Sequence, residues 1–317
     1  MVIDLLISLA ISNALISPAP VKPGADFVSS ASMASDGHID YHSGERLPTN
    51  GDKMRPPRKT GDSLGVEINA AAAAIVDARS GAILWEKNAG KKLSVASITK
   101  LMAAAVFLDH NPGWDKVKAF EGNENDVIGA KFTVGDGVAF TVKDMFYVML
   151  TGSANNAARA IAHTTGLTEE DFTKAMNAKA LELGMENSSF VEPSGLDHRN
   201  ISTARDLAKL ATYIFQNEDV RTATTIPNHQ LKATNADEER TVKATNKLLK
   251  TYLDEAPYAI TAAKTGYTEE AGFCLVQQTK MEGKGEVLVV VLNSETEATR
   301  ASDMKSLTNW AFENYQW

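Results

Sequence analysis

Residues 94–108 read S-V-A-S-I-T-K-L-M-A-A-A-V-F-L. From Leu101 onward the run is apolar all round, which predicts a buried helix rather than one lying on a surface. Such a helix offers no ready place for Ser97 and Lys100, one turn apart near its start. In one reading Ser94 or Ser97 caps the helix and Lys100 reaches solvent. In the other, Ser97 is a nucleophile and Lys100 its base. Residues i and i+3 share a helix face, so the amine can reach the hydroxyl. A lysine is a base only when neutral, and the apolar run Leu101–Leu108 would desolvate it toward that state.

Outward from this helix the chain is easily divided. N-P-G at 111–113 terminates it. Upstream, A-A-A-A-I-V-D-A (71–78), R-S-G (79–81) and A-I-L-W-E-K (82–87) predict two strands joined by a tight turn. Downstream, T-V-K-D-M-F-Y-V-M-L (141–150) has helical spacing and runs into T-G-S-A-N-N-A. Helices are predicted from Thr168, with acidic residues in the first turn, to Gly184, and from Thr203, with Asp206 in capping-box spacing, to Phe215. The last third returns to strands: A-I-T-A-A-K-T-G-Y (259–267), A-G-F-C-L-V-Q-Q-T (271–279) and E-V-L-V-V-V-L-N (286–293). A hairpin loop, K-M-E-G-K-G, joins the last two. Residues 299–315 close the chain as an amphipathic helix. Strands at both ends with helices between them imply an α+β fold, with a sheet assembled from both termini and a helical insertion. The natural cleft lies where the helical part meets the sheet edge.

Ahead of this domain, six of the ten prolines fall between Pro18 and Pro57. Residues 18–63 lack hydrophobic periodicity and are expected to be a disordered linker, with folded chain from about 64–66 to 317. Residues 1–17 are apolar enough for a secretory signal peptide or an N-terminal anchor, although Asp4 and the absence of a leading Lys or Arg depart from the usual pattern. The stretch is short for a membrane span, which needs about 20 residues.

Composition excludes several classes. The 317 residues carry a net charge of −8, and no Lys/Arg cluster offers a phosphate-binding surface, so nucleic acid is not an expected partner. Cys274 is the only cysteine and sits in an apolar strand, where it reads as a packing residue. The six histidines show no metal-ligand spacing.

Two further short motifs bear chemistry. Ser153-Ala154-Asn155 lies at a helix-to-helix junction, where it is either an N-cap pair or a proton relay with a substrate-holding amide. Lys264-Thr265-Gly266 lies on a strand, as either a solvent-facing edge lysine or a cation and hydroxyl for a carboxylate, with Gly266 leaving room for substrate.

Taken in order, S-x-x-K, S-x-N and K-T-G resemble the active-site signature of penicillin-recognising serine enzymes. The chain is most similar to the D-alanyl-D-alanine carboxypeptidase family of low-molecular-mass penicillin-binding proteins. I-V-D-A-R-S-G-A-I-L-W-E-K-N, F-V-E-P-S-G-L-D, S-T-A-R-D-L-A-K-L and K-T-G-Y-T-E-E-A-G-F-C-L-V carry the resemblance across residues 66–317. It implies a β-lactamase/transpeptidase-like fold, with a five-stranded antiparallel sheet flanked by helices and an all-helical subdomain. It also implies residue roles. Ser97 would be acylated, Lys100 would be its base, and Ser153 would shuttle a proton to the leaving amine. Asn155 would position substrate, while Lys264 and Thr265 would hold the terminal carboxylate of D-Ala-D-Ala. The backbone N–H groups of Ser97 and Tyr267 would form the oxyanion hole. Neither metal nor organic cofactor is implied. The expected partners are peptidoglycan stem peptides and, as covalent inhibitors, β-lactams; the expected location is outside the cytoplasmic membrane. A D,D-endopeptidase acting on cross-links would use the same site, and a class A-like β-lactamase or a β-lactam sensor would share its motifs.

One departure concerns Glu192, in F-V-E-P-S-G-L-D, where the family pattern leads us to expect a neutral residue. An acidic residue before proline is similar to the deacylating glutamate of class A β-lactamases. The following S-G-L-D and the S-A-N in place of S-D-N match the carboxypeptidases instead, and we expect Glu192 to be a solvated loop side chain.

Overall fold

The computed structural model describes residues 55–122 and 127–317. The expected signal or anchor (1–17) and most of the expected linker (18–54) lie outside the described residues. The fold begins earlier than the predicted start near Val66. Arg58 and Lys59 pair antiparallel with Gln316 and Tyr315, and Trp310 donates to the Ser63 hydroxyl at 2.8 Å. The pairing partner lies 258 residues away, and no local pattern could have announced it.

Five strands form the main sheet: β1 Ala72–Asp77, β2 Ile83–Lys87, β3 Tyr258–Thr268, β4 Gly272–Met281 and β5 Glu286–Ser294. Their order is β3-β4-β5-β1-β2, all neighbours antiparallel, so the first hairpin adds to the edge of the last three strands. The register Val287↔Asp77 to Leu292↔Ala72 joins the two ends of the chain.

Seven α-helices are placed among the described residues: α1 Thr99–Asp109, α2 Val142–Thr151, α3 Asn155–Thr164, α4 Glu169–Glu182, α5 Ala204–Ile214, α6 Glu218–Thr225 and α7 Glu297–Asn314. Threonines start four of them by accepting a backbone N–H: Thr141, Thr168, Thr203 and Thr296. Only half of the capping box expected at Thr203 forms. Asp206 donates its backbone N–H to Thr203, but its carboxylate accepts from Asn187 N and Ser188 Oγ. Among the described residues, no helix is long and apolar enough to cross a membrane.

The period-2 alternation of the central strands splits the apolar interior into two layers. Ala72, Ala74, Val76, Leu288, Val290 and Leu292 face a core shared with α1 to α5. Ala73, Ile75, Val287, Val289 and Val291 face a second core closed by Met304, Leu307, Ala311 and Phe312 of α7. Covered on both faces, β1 and β5 are apolar almost without interruption. Helix α1 runs through the first core with Thr99 to Phe107 all buried, as its all-round apolar run predicts. Cys274 is fully buried, as expected, and desolvation pushes its thiol up to about 11.

The elements that the sequence patterns do not announce include α6 and a hairpin, Asn228–Lys232 with Glu239–Lys243. The hairpin is largely exposed and polar, and both of its strands lean on α2, so it carries no apolar alternation to read.

Candidate active site

Ser97 does not belong to α1 itself. It occupies a 3-10 turn, Ala96–Ile98, immediately before the helix. Neither Ser94 nor Ser97 caps: the residues at the two N-cap positions, Val95 and Ile98, make no side-chain cap bond. Ala96 has φ +46°, a left-handed conformation that costs a non-glycine residue of order 1–3 kcal/mol and persists only where the surroundings impose it.

Those surroundings are two glycine backbones. A Cβ on Gly195 (φ +85°) would meet the Ala96 carbonyl oxygen at 2.0 Å and the Ser97 nitrogen at 2.9 Å. A Cβ on Gly266 would stand 3.0 Å from Val95 O and 3.2 Å from Ser97 N. The serine turn is thus clamped between the 192–197 loop and the end of β3. Gly266 was expected to leave room for substrate, but it also admits this close approach.

Lys100 is 0% exposed, so the solvent-reaching reading fails. Its Nζ lies 2.9 Å from Ser97 Oγ, 2.7 Å from Asn155 Oδ1 and 2.5 Å from Ser194 O. Desolvation lowers it to about 7, with the Glu192 carboxylate pulling the other way. At that value about half the amines are neutral at pH 7, against roughly one in several thousand for a free lysine. A neutral amine has two hydrogens and one lone pair. The carbonyl-type oxygens of Asn155 and Ser194 can only accept, so they take the two hydrogens and turn the lone pair toward Ser97.

Asn155 opens α3, yet the cap position belongs to Ala154, which makes no side-chain cap bond. The N-cap reading of Ser153 and Asn155 therefore fails. Asn155 Nδ2 donates to Ile128 O at 2.9 Å, which fixes Oδ1 toward Lys100. The amide expected to position substrate is thus already engaged in orienting the lysine. Ser153, at φ +58° and buried, accepts from Lys264 Nζ at 2.7 Å.

Lys264 is on the edge strand β3 but is 1% exposed, because the helical layer covers that edge. Its Nζ also donates to Thr265 O at 2.9 Å. Burial first, then the charges of Lys100 and Arg300, push it well below the ordinary lysine range. Thr265 Oγ1 meets Thr245 Oγ1 at 2.6 Å. Tyr267 is 52% exposed and stacks on Phe273 at 4.2 Å between centroids.

Four residues to which the sequence motifs assign no role meet here. Ser194 supplies the carbonyl and Gly195 the close approach, Thr245 meets Thr265, and Arg300 on α7, itself buried, adds positive charge. Arg300 stands alone in an amphipathic helix, without a motif to mark it. The expectation for Glu192 also needs correction. Its side chain is not freely solvated: Oε2 accepts from Ser194 N (2.7 Å) and Ser194 Oγ (2.6 Å), and Oε1 from Gly195 N (2.5 Å) and Asn200 Nδ2 (2.6 Å).

Residues 57–296 match the family model described as D-alanyl-D-alanine carboxypeptidase. The D-alanyl-D-alanine endopeptidase of Pseudomonas aeruginosa is 34% identical over 256 residues, 80% of this chain and 81% of that one. The D-alanyl-D-alanine endopeptidase of Escherichia coli is 35% identical over 245 residues, 77% of each. The structure of the Streptomyces K15 DD-transpeptidase superposes with a TM-score of 0.73 at 27% identity, covering 79% of this chain and all of that one.

Proposed function

This chain belongs to the D-alanyl-D-alanine carboxypeptidase family, and on that premise we propose that it hydrolyses the D-Ala-D-Ala bond of peptidoglycan stem peptides through an acyl-enzyme on Ser97. The observation that carries the reading is the buried Lys100 amine, lowered to about 7 and 2.9 Å from the Ser97 hydroxyl.

Ser97 Oγ attacks the carbonyl of the penultimate D-Ala as its proton passes to neutral Lys100. The N–H groups of Ser97 and Tyr267 hold the oxyanion, a contribution of about 3–4 kcal/mol per donor. The tetrahedral intermediate collapses and expels D-Ala, whose nitrogen receives by way of Ser153, held by Lys264, the proton that Lys100 took from Ser97, so that Lys100 is neutral again. Water then attacks the ester as Lys100 accepts its proton, and Lys100 returns that proton to Ser97 Oγ as the acyl bond breaks, which regenerates the serine. β-Lactams, whose amide mimics the scissile bond, acylate the same oxygen.

Lys264, Thr265 and the charge of Arg300 receive the terminal carboxylate. Its arrival favours the protonated form of Lys264. A cation there disfavours a second one on Lys100, so bound substrate helps to keep its own base neutral. A pentapeptide with an amidated C-terminus should then lose both effects. We expect its kcat/KM to fall by about a hundredfold, the order of a lost charge-assisted pair; equal turnover of acid and amide would count against this carboxylate site.

The same machinery serves a cross-link whose leaving group is the side-chain amine of the next stem peptide. The two relatives named as endopeptidases favour this as the second reading. Side-by-side assays of D-Ala release from a pentapeptide and of cleavage of a cross-linked dimer separate the two, and Ser97→Ala must abolish whichever is found. Peptidoglycan lies outside the cytoplasmic membrane, so the site of action is extracytoplasmic. The apolar residues 1–17 support export as a signal or retention as an anchor.

A further inference from the structure

The strand and helix motifs account for every partner of Lys100 except one, the carbonyl of Ser194. That carbonyl belongs to the loop that also presses Gly195 against the Ala96–Ser97 peptide. The loop therefore touches the amine with one residue and the turn that carries the serine with the next. Its shape is not set by packing on both sides. Behind Val191, Glu192 and Pro193 lies a cavity of about 700 Å³, bounded by α3 and α4 and lined by Ala162, Phe172 and Leu181 among others. The loop is instead organised by one carboxylate, which collects two backbone N–H groups, a hydroxyl and the Asn200 amide at 2.5–2.7 Å.

We propose that Glu192 is a positioning residue for the Lys100 base: its carboxylate folds the 192–200 loop so that the Ser194 carbonyl takes one hydrogen of the amine and Gly195 seats the Ser97 turn. The proposal rests on the assignment of Lys100 as the base and deepens it. It differs from the role that a glutamate before proline would have as a deacylating base. Four short hydrogen bonds from the loop itself occupy both oxygens of Glu192. A carboxylate committed in this way has no lone pair aimed at a hydrolytic water.

Glu192 also acts on the amine through its charge. The groups that face or surround Lys100 are Ser97 on its own turn, Asn155 from α3, Ser194 and Glu192 from the loop, and Lys264 from β3, with Arg300 of α7 beyond Lys264. Among these groups Glu192 is the anion, and it favours the protonated amine. Removing that charge lowers the Lys100 value, so the neutral base persists to lower pH. Distorting the loop lowers the rate even when the base is neutral. Charge and geometry thus move different features of one pH profile.

The experiment is the pH dependence of acylation by a fluorescent penicillin, with adduct lifetime followed separately, for wild type, Glu192→Gln and Glu192→Asp. For Glu192→Gln we expect a plateau acylation rate lower by about tenfold or more, the size of effect that misplacing a reacting group produces. Its acid-limb midpoint should move to lower pH. Glu192→Asp keeps the charge but is one methylene short; its plateau should fall while its midpoint stays near that of wild type. A folded Glu192→Gln with unchanged plateau and midpoint overturns the proposal. So does an unchanged acylation rate with a lengthened adduct lifetime, which would make Glu192 the deacylating base. If Glu192→Gln does not fold, Ser194→Ala removes one of the four bonds and leaves the charge; a reduced plateau at constant midpoint supports the proposal, and an unchanged plateau overturns it. Wild type that fails to label at Ser97 would instead remove the assignment on which the proposal rests.

Discussion

The Lys100 amine donates to Asn155 Oδ1 and Ser194 O at 2.7 and 2.5 Å and stands 2.9 Å from Ser97 Oγ, with no exposure to solvent. Burial is what converts an ordinary cation into a base, because losing hydration costs the charged form far more than the neutral form. The sign of the resulting pH dependence follows. Lys100 is lowered to about 7, so its neutral form is lost as the pH falls through that value. Acylation should therefore be near its plateau at pH 8 and fall about tenfold for each unit well below pH 7. A measured acylation profile checks this; a rate independent of pH from 5 to 8 would mean that another group takes the proton. Replacing Asn155 by Ala should slow acylation by about a hundredfold, since one of the two acceptors that turn the lone pair toward Ser97 is lost. Stopped-flow labelling on a variant of unchanged circular dichroism reads that effect.

At the scale of elements, the site is a junction of a 3-10 turn, the first turn of α3, the 192–197 loop and β3. Gly195 is where the closeness of that junction is most visible. A methyl group there would stand 2.0 Å from the Ala96 carbonyl and would also strain a φ of +85°. Gly195→Ala is expected to destabilise the fold by about 2–4 kcal/mol and to reduce labelling by more than a hundredfold in whatever folded protein remains. Denaturant unfolding and labelling of the same sample measure both. The elements themselves were largely legible, because α1, β1 and β5 are dictated by apolar patterning and the helix starts by Thr141, Thr168 and Thr203. The three short motifs that the fold brings together were legible as well, from residue type and order. What surrounds them was not. Ser194 acts through its backbone carbonyl, which every residue possesses, and Gly195 through an absent side chain. Arg300 and Thr245 reach the site from elements that meet it only after folding. Glu192 was misread because its partners, three of them within three residues along the loop, appear only once the loop is folded on itself.

For the molecule as a whole, the sheet separates two cores, and the chemistry belongs to the side that holds α1. Leu307 of α7 is fully buried in the other core. Leu307→Ala should cost about 2–5 kcal/mol of stability and lower the melting temperature, while leaving the acylation rate of the folded protein unchanged. The same construction explains why a strained site with two buried lysines is tolerated: a large two-layer interior supports a few groups that individually oppose folding. The measurement that tests the central claim most directly is incubation of wild type and Ser97→Ala with a fluorescent penicillin, followed by intact and peptide mass spectrometry. The account predicts a covalent adduct mapped to Ser97 in wild type and none in the variant. An adduct retained by Ser97→Ala, or no adduct on properly folded wild type, would contradict it.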